Sequence, residues 1–263
     1  MSFYAQSFSY DDESSEFYNL RIANLGSGDF SNSGNGTVSF LEDFIFRKPK
    51  PYFYGVHYDS KLTFPMSIFS EDEITALDAS YIQNWLFGQL TYKRLSIIQG
   101  DMDNFYFNCI LTDPTIVRVG NVIRGFECIV VCDSQFVYNY PKTLTYDYVS
   151  SPSGSSIIFY NNSHYKGYLY PQMTFTTSSI GSSIYITNAD DDDRIFSFTN
   201  LAPNETITID NNLGIITSST GLRRLSKFNK KFLRFVPGLN HLTLTGGISQ
   251  LTLTYQFLRR VSG

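Results

Sequence analysis

FLRFVPGLNHLTLTG, residues 232–246, is the stretch on which the reading of the fold turns. Leu233, Phe235, Leu239, Leu242 and Leu244 are separated by Arg234, Asn240, His241, Thr243 and Thr245, the period-two signature of half-buried strands. Pro237-Gly238 interrupts the run and reads as a turn, because proline fixes φ and glycine tolerates positive φ. A second break at Gly246-Gly247 precedes another alternation from Ile248 to Tyr255. The end of the chain therefore predicts antiparallel strands joined by tight turns, with Pro237-Gly238 passing one strand into its neighbour.

The bulk numbers agree with a β-rich globular protein. A chain of 263 residues suits one large or two ordinary domains. Hydrophobic residues make up 42% and charged residues 17%, enough to fill a core and too little charge for global disorder. Aromatics reach 16%, chiefly Tyr and Phe, which favour strands. The net charge of −4 argues against a protein that grips phosphate backbones, since that task needs clustered Lys and Arg. The chain has no run of eighteen apolar residues, and Met1-Ser2-Phe3-Tyr4 has neither the basic nor the apolar region of a signal peptide.

Strand-like runs occur at Phe3–Tyr10, Phe17–Leu25, Tyr52–Tyr58, Lys61–Phe69, Lys93–Gln99, Asn104–Thr112, Ile116–Val119 and Asn121–Val131. Residues 26–36, GSGDFSNSGNG, read as a flexible loop, and Lys48-Pro49-Lys50-Pro51 as an extended connection. One helix is predicted at about 71–87, with Ser70 as its cap, Glu73 completing a capping box and Gly88 as its stop. Its apolar stripe is Ile74, Leu77, Tyr81, Ile82 and Trp85, so the single Trp is expected in the core. From Pro141 onward the texture becomes low in charge and rich in Ser, Thr and Asn, with a turn about every ten residues. That pattern predicts a second, all-β unit built as a sandwich or jelly roll.

Motifs that carry chemistry are sparse. Cys109, Cys128 and Cys132 are too few for a disulfide framework and predict buried free thiols in a reducing compartment. Cys128 and Cys132 would share a strand face with Phe126 and Val130. His57, His164 and His241 lie far apart and fit no metal-binding spacing, so each reads as a surface or interface residue. The glycine-rich loop lacks the Gly-Lys-Ser/Thr ending of a phosphate loop, and the chain contains no GxSxG elbow. Asp190-Asp191-Asp192-Asp193 reads as a solvated acidic turn, with a Ca²⁺ loop as the alternative. Three sequons, at Asn35, Asn161 and Asn204, carry no weight without a leader. Arg223-Arg224, Lys227 and Lys230-Lys231 form a basic cluster that reads as a charged hinge or edge, with a docking patch as the alternative. No catalytic, cofactor-binding or metal-binding residue is assigned, no cofactor is expected, and an enzyme is not expected.

The order of these elements resembles the distal tail (Dit) proteins of long-tailed bacteriophages. The likeness is carried by SSEFYNLRI at 14–22, KPYFYGV at 50–56, LTFPMSIF at 62–69, YIQNWLFG at 81–88 and YKRLSI at 92–97. It continues through GFECIVVCDSQFVY at 125–138, ETITIDNNLGIITSSTG at 205–221 and the opening stretch. The resemblance implies a mainly β chain: residues 1–140 as a barrel- or sandwich-like, ring-forming domain with one helix, and 141–263 as a galectin-like sandwich. It further implies a homo-hexameric ring in the virion, assembled in the host cytoplasm, between the tail tube protein and the tail-tip hub protein. Receptor-binding proteins are implied partners of that assembly; genomic DNA would pass through the centre without specific binding, and no membrane is involved. A carbohydrate-binding module attached to the host surface is the alternative function. The galectin sugar signature of His, Asn, Arg and a stacking Trp is not evident, because Trp85 lies in the first domain.

Overall fold

The computed structural model describes residues 7–23, 38–58, 61–100, 102–148 and 154–260. The expected loop at 26–36, the sequon at Asn35 and the first four residues lie outside them. The chain divides into two compact units, Met1–Asn139 with Arg260–Gly263, and Tyr140–Arg259.

The first unit holds β1 (Phe8–Tyr10), β2 (Glu13–Ser14), β3 (Leu20–Ala23), β4 (Val38–Asp43), β5 (Tyr52–Tyr58) and β6 (Thr63–Ile74). These are followed by α1 (Ala76–Phe87), β7 (Lys93–Ile97), β8 (Phe105–Val119), β9 (Val122–Cys132) and β10 (Val137–Asn139). Seven strands form an antiparallel sheet in the order β2-β1-β7-β8-β9-β6-β3, and β10 pairs with β8 beyond the end of β9. Alternation does the sorting: Phe64, Met66 and Ile68 of β6 are buried, as are Phe126, Cys128, Val130 and Cys132 of β9. The two runs expected at Asn104–Thr112 and Ile116–Val119 are one strand, bent at a bulge where Asp113 has φ 53°. Gly125 admits β9 against β6, for a Cβ there would lie 2.0 Å from the Ile68 carbonyl oxygen.

The helix starts later than its sequence signals predicted. Glu71–Ile74 continue β6, and Ser70 Oγ accepts from the Asp72 N–H inside that strand. The cap is Thr75, whose Oγ1 accepts from the Asp78 N–H at 3.1 Å while its hydroxyl donates to the Asp78 carboxylate at 2.7 Å. Thr75 offers the same three-residue spacing to an acid as Ser70 does, so two competing caps stood five residues apart. The buried face is Ala79, Ile82, Trp85 and Leu86, whereas Leu77 and Tyr81 of the expected stripe are exposed. Gly88 ends the helix, its N–H donating to the Asn84 carbonyl at 3.0 Å.

The second unit contains β11 (Lys142–Asp147), β12 (Ser155–Asn161), β13 (Gln172–Thr177), β14 (Ser182–Asn188) and β15 (Arg194–Leu201). It continues with β16 (Thr206–Asp210), β17 (Ile215–Ser218), β18 (Gly238–Gly246) and β19 (Ile248–Tyr255). Two antiparallel sheets, β11-β19-β13-β16-β17 and β12-β18-β14-β15, enclose one core. Phe175, Ile209 and Leu251 enter it from the first sheet, and Phe159, Ile186 and Leu244 from the second. A row of threonines crosses the outer face of the five-stranded sheet, Thr145, Thr252, Thr174, Thr208 and Thr217 standing opposite one another in turn. Cross-strand hydroxyl pairs there, such as Thr145 with Thr252 at 3.2 Å, link neighbouring strands across that face.

The opening stretch folds differently from its reading. Pro237-Gly238 does not join two neighbouring strands, because Phe235 makes only an isolated bridge to Leu169 and Gly238 begins β18. Gly246-Gly247 is no hairpin turn either: β18 lies in the four-stranded sheet and β19 in the five-stranded one. Both strands alternate toward the same core, so the chain crosses from one layer to the other. Gly246, at φ 102°, makes this possible, since a Cβ there would sit 2.0 Å from the Ser183 carbonyl oxygen.

Candidate functional site

Residues read as chemical candidates in the sequence are absorbed by structure. Asp191 is buried, not solvated, and its carboxylate accepts two hydrogen bonds from Arg234, at 2.8 and 2.9 Å. Arg234 in turn lies 3.7 Å from the Tyr168 ring centroid. Asp190 accepts from the His241 backbone N–H and contacts His241 Nδ1 at 2.8 Å, and these contacts hold its carboxyl below the ordinary value. The acidic turn is thus committed to a cation and a histidine on the loop-β18 segment, and the carboxylates do not converge on a metal. Among the described residues no group of three His, Cys, Asp or Glu is placed to hold a metal ion.

The basic cluster is divided in the same way. Arg224 is no hinge charge; it forms a two-pronged ion pair with the fully buried Glu205, at 2.6 and 2.8 Å. Glu205 also accepts from Ser218 Oγ and the Ala202 N–H. Burial pushes its carboxyl up, but these donors outweigh burial and hold it below the ordinary range. Arg223, Lys230 and Lys231 stay exposed. Cys109, Cys128 and Cys132 are buried free thiols, with burial pushing Cys128 and Cys132 up to about 12.

What remains without an internal task is surface. β4 and β5 pair only with each other among the described strands, Asp43 standing opposite Tyr52 at the distal end. Tyr52–Tyr58 was legible as a strand, whereas its partner Val38–Asp43 was not. Phe40, Leu41, Phe53, Tyr54 and Val56 are exposed along this arm. The connection 44–51, FIFRKPKP, carries Phe44 and Phe46 at 78% and 86% exposure beside Arg47, Lys48 and Lys50. Large apolar side chains exposed in such number on one short arm mark an interaction site.

A second surface element is a cleft of about 350 Å³ between the 3₁₀ turn at Ser15–Tyr18, the end of β6 and the start of α1. Glu16, Asp72, Glu73 and Asp78 contribute carboxylates to it, while Phe17, Ile74 and Ile82 supply apolar walls. Phe17 is 79% exposed at its rim. Sequence reasoning did not find this cleft, because its acids come from two segments about fifty residues apart that only β3-β6 pairing brings together. An arm and a cleft of this kind can bind protein; neither presents a nucleophile or an acid-base pair aimed at a reacting atom.

The comparisons with known proteins follow the same two units. A family model described as phage tail protein N-terminal domain matches residues 3–134, and one described as phage tail C-terminal domain matches residues 138–255. The crystal structure of the Dit protein (gp 19.1) of phage SPP1, described as a paradigm of the hub adsorption apparatus in phages infecting Gram-positive hosts, is similar in fold. It aligns with a TM-score of 0.67 at 10% identity, over 97% of this chain and 100% of that one. A chain of the phage p2 baseplate, in its activated conformation with Sr, aligns with a TM-score of 0.52 at 10% identity, over 95% and 97% of the two chains. No curated protein sequence matches. With both units matched in order, this chain belongs to the phage tail protein family, a tail component of mainly β architecture whose fold is that of the Dit hub proteins.

Proposed function

We propose that the protein is the distal tail hub: six copies close into a ring through the first unit, joining the tail tube above to the tail-tip proteins below. The observation that carries this reading is the end-to-end likeness to the SPP1 Dit chain, which leaves neither protein with an unmatched unit. The exposed β4-β5 arm supports it, because a ring subunit needs apolar surface that a free monomer does not cover. The ring surrounds a channel through which DNA leaves, and a net charge of −4 suits a conduit that must not hold phosphates. The role is structural and not enzymatic, with receptor-binding proteins as further partners. Negative-stain imaging and light scattering of the purified chain test this. Six-membered rings, single or stacked, are expected at micromolar concentration, and a strictly monomeric mass at high concentration in several salts would overturn it.

A carbohydrate-binding module is the second reading. Its support is the outer face of the four-stranded sheet, where Tyr160 and Tyr185 are exposed and offer stacking surfaces. Glycan arrays read it directly, and a host-wall glycan retained by the wild type but lost in Tyr160→Ala would establish it.

A further inference from the structure

We propose that the ring contact is a plug and socket, in which the β4-β5 arm tip of one copy seats in the acidic cleft of the next copy. This rests on the ring reading above and adds the partner surface to it. The charges match: Arg47, Lys48 and Lys50 on the tip face Glu16, Asp72, Glu73 and Asp78 around the cleft. The apolar parts match as well, with Phe44 and Phe46 able to pack on Phe17 and the neighbouring exposed Leu77 and Tyr81 of α1.

Neither element finds an opposite charge within its own chain among the described residues. None of the seven charged groups forms an ion pair with another described residue. Among the described residues Asp72 accepts from the neutral Asn19 amide at 2.6 Å, and Asp78 serves the helix cap. Phe44 and Phe46 stand exposed, so the tip does not fill the cleft of its own chain. The tip is also held in shape before it meets a partner. Pro49 and Pro51 fix two φ angles, the Lys48 N–H donates to the Ile45 carbonyl at 3.0 Å, and the Lys48 ammonium lies 4.4 Å from the Tyr52 ring centroid. Preorganisation of this kind lowers the entropy lost on binding.

A contact of this kind can build a ring. Tip and cleft are different surfaces, so when a copy gives its tip to one neighbour and its cleft to another the contact is heterologous and propagates head to tail until it closes. Magnitudes point the same way. Two phenylalanines bury about 150–250 Å² each, well short of the roughly 800 Å² per partner of a stable pairwise interface. A single plug is therefore a weak contact, and closing the ring, which leaves no chain with a free end, makes it persist. Opposed charges set which surface meets which and exclude tip-to-tip pairing.

Charge reversal in the full-length chain tests the proposal. Lys48→Glu with Lys50→Glu reverses the tip, and Glu16→Lys with Asp72→Lys and Glu73→Lys reverses the cleft; all five positions are exposed, and circular dichroism confirms the fold. Each of the two variants is expected to raise the half-assembly concentration about a hundredfold. An equimolar mixture of the two is expected to restore rings, because each reversed tip then meets a reversed cleft, and native mass spectrometry should show three copies of each. The chain carrying all five changes should also assemble. Wild-type rings with unaffected variants, or reversed chains that neither mixing nor combination rescues, overturn the plug and leave the ring reading standing. A wild type that stays monomeric throughout overturns the ring reading and the plug with it.

Discussion

The indole of Trp85 donates a 2.9 Å hydrogen bond from Nε1 to the backbone carbonyl of Tyr10, and so ties the helix to the first strand across seventy-five residues. The ring is 7% exposed, lies parallel to Phe8 at 6.0 Å between centroids and meets Tyr18 at 5.6 Å. Trp85→Ala would leave a cavity and an unpaired carbonyl, at a cost of about 3–5 kcal/mol. Trp85→Phe keeps the packing but loses the donor and is expected to cost less. Denaturant melts of both variants check this, and near-identity of Trp85→Ala with the wild type would contradict the burial.

The Glu205–Arg224 pair predicts a sharper loss on breaking than on neutralising. Arg224→Ala strands a buried carboxylate and should cost about 3–5 kcal/mol. The double change Glu205→Leu with Arg224→Met removes both charges and should recover most of that loss. Equal destabilisation of the single and double variants, measured in urea, would contradict the assignment.

Acid sensitivity follows from the same carboxylate. Its folded-state pKa lies below the ordinary 4.5, so the stability it contributes is complete above that value and is lost as pH falls through the folded value. Asp190, held low by His241, adds in the same direction. Thermal midpoints should therefore fall below about pH 4.5, and Glu205→Gln should fall less steeply from a lower starting point.

Gly246→Ala places a methyl where the Ser183 carbonyl stands and demands a positive φ of an L residue. A loss of at least about 1–3 kcal/mol is expected. Ala at Gly120, which has open space, carries only the φ penalty and should cost less. Thermal melts of the two substitutions distinguish steric crossing from turn preference.

A fragment beginning near Pro141 should fold alone and remain monomeric, because Tyr140–Arg259 encloses its own core between two sheets. About 120 residues bury enough surface without disulfides. Circular dichroism and sedimentation read the outcome; an unfolded fragment, or rings formed by it alone, would contradict the division of labour between the units.

The sequence by itself determined the class of fold and most strands, because period-two alternation and β-branched or aromatic residues are local properties of the chain. Cys128, Val130 and Cys132 could be placed on one buried face, and Trp85 in the core, from spacing alone. The helix was visible but its start was not, since Ser70 and Thr75 both offer a capping pattern and only the pairing of β6 with β9 claims residues as far as Ile74. The fate of charge was hidden altogether. Asp191 finds Arg234 forty-three residues away and Glu205 finds Arg224 nineteen residues away, pairings that turn an acidic turn and a basic cluster into internal pins. Tertiary structure alone also decided that Gly246-Gly247 crosses between sheets, because a strand's alternation says which residues face the core and not which neighbour takes its hydrogen bonds. The arm and the acidic cleft belong to the same class. Surface becomes a site only when distant segments are brought side by side, and that proximity is set by long-range pairing, not by any local run of residues.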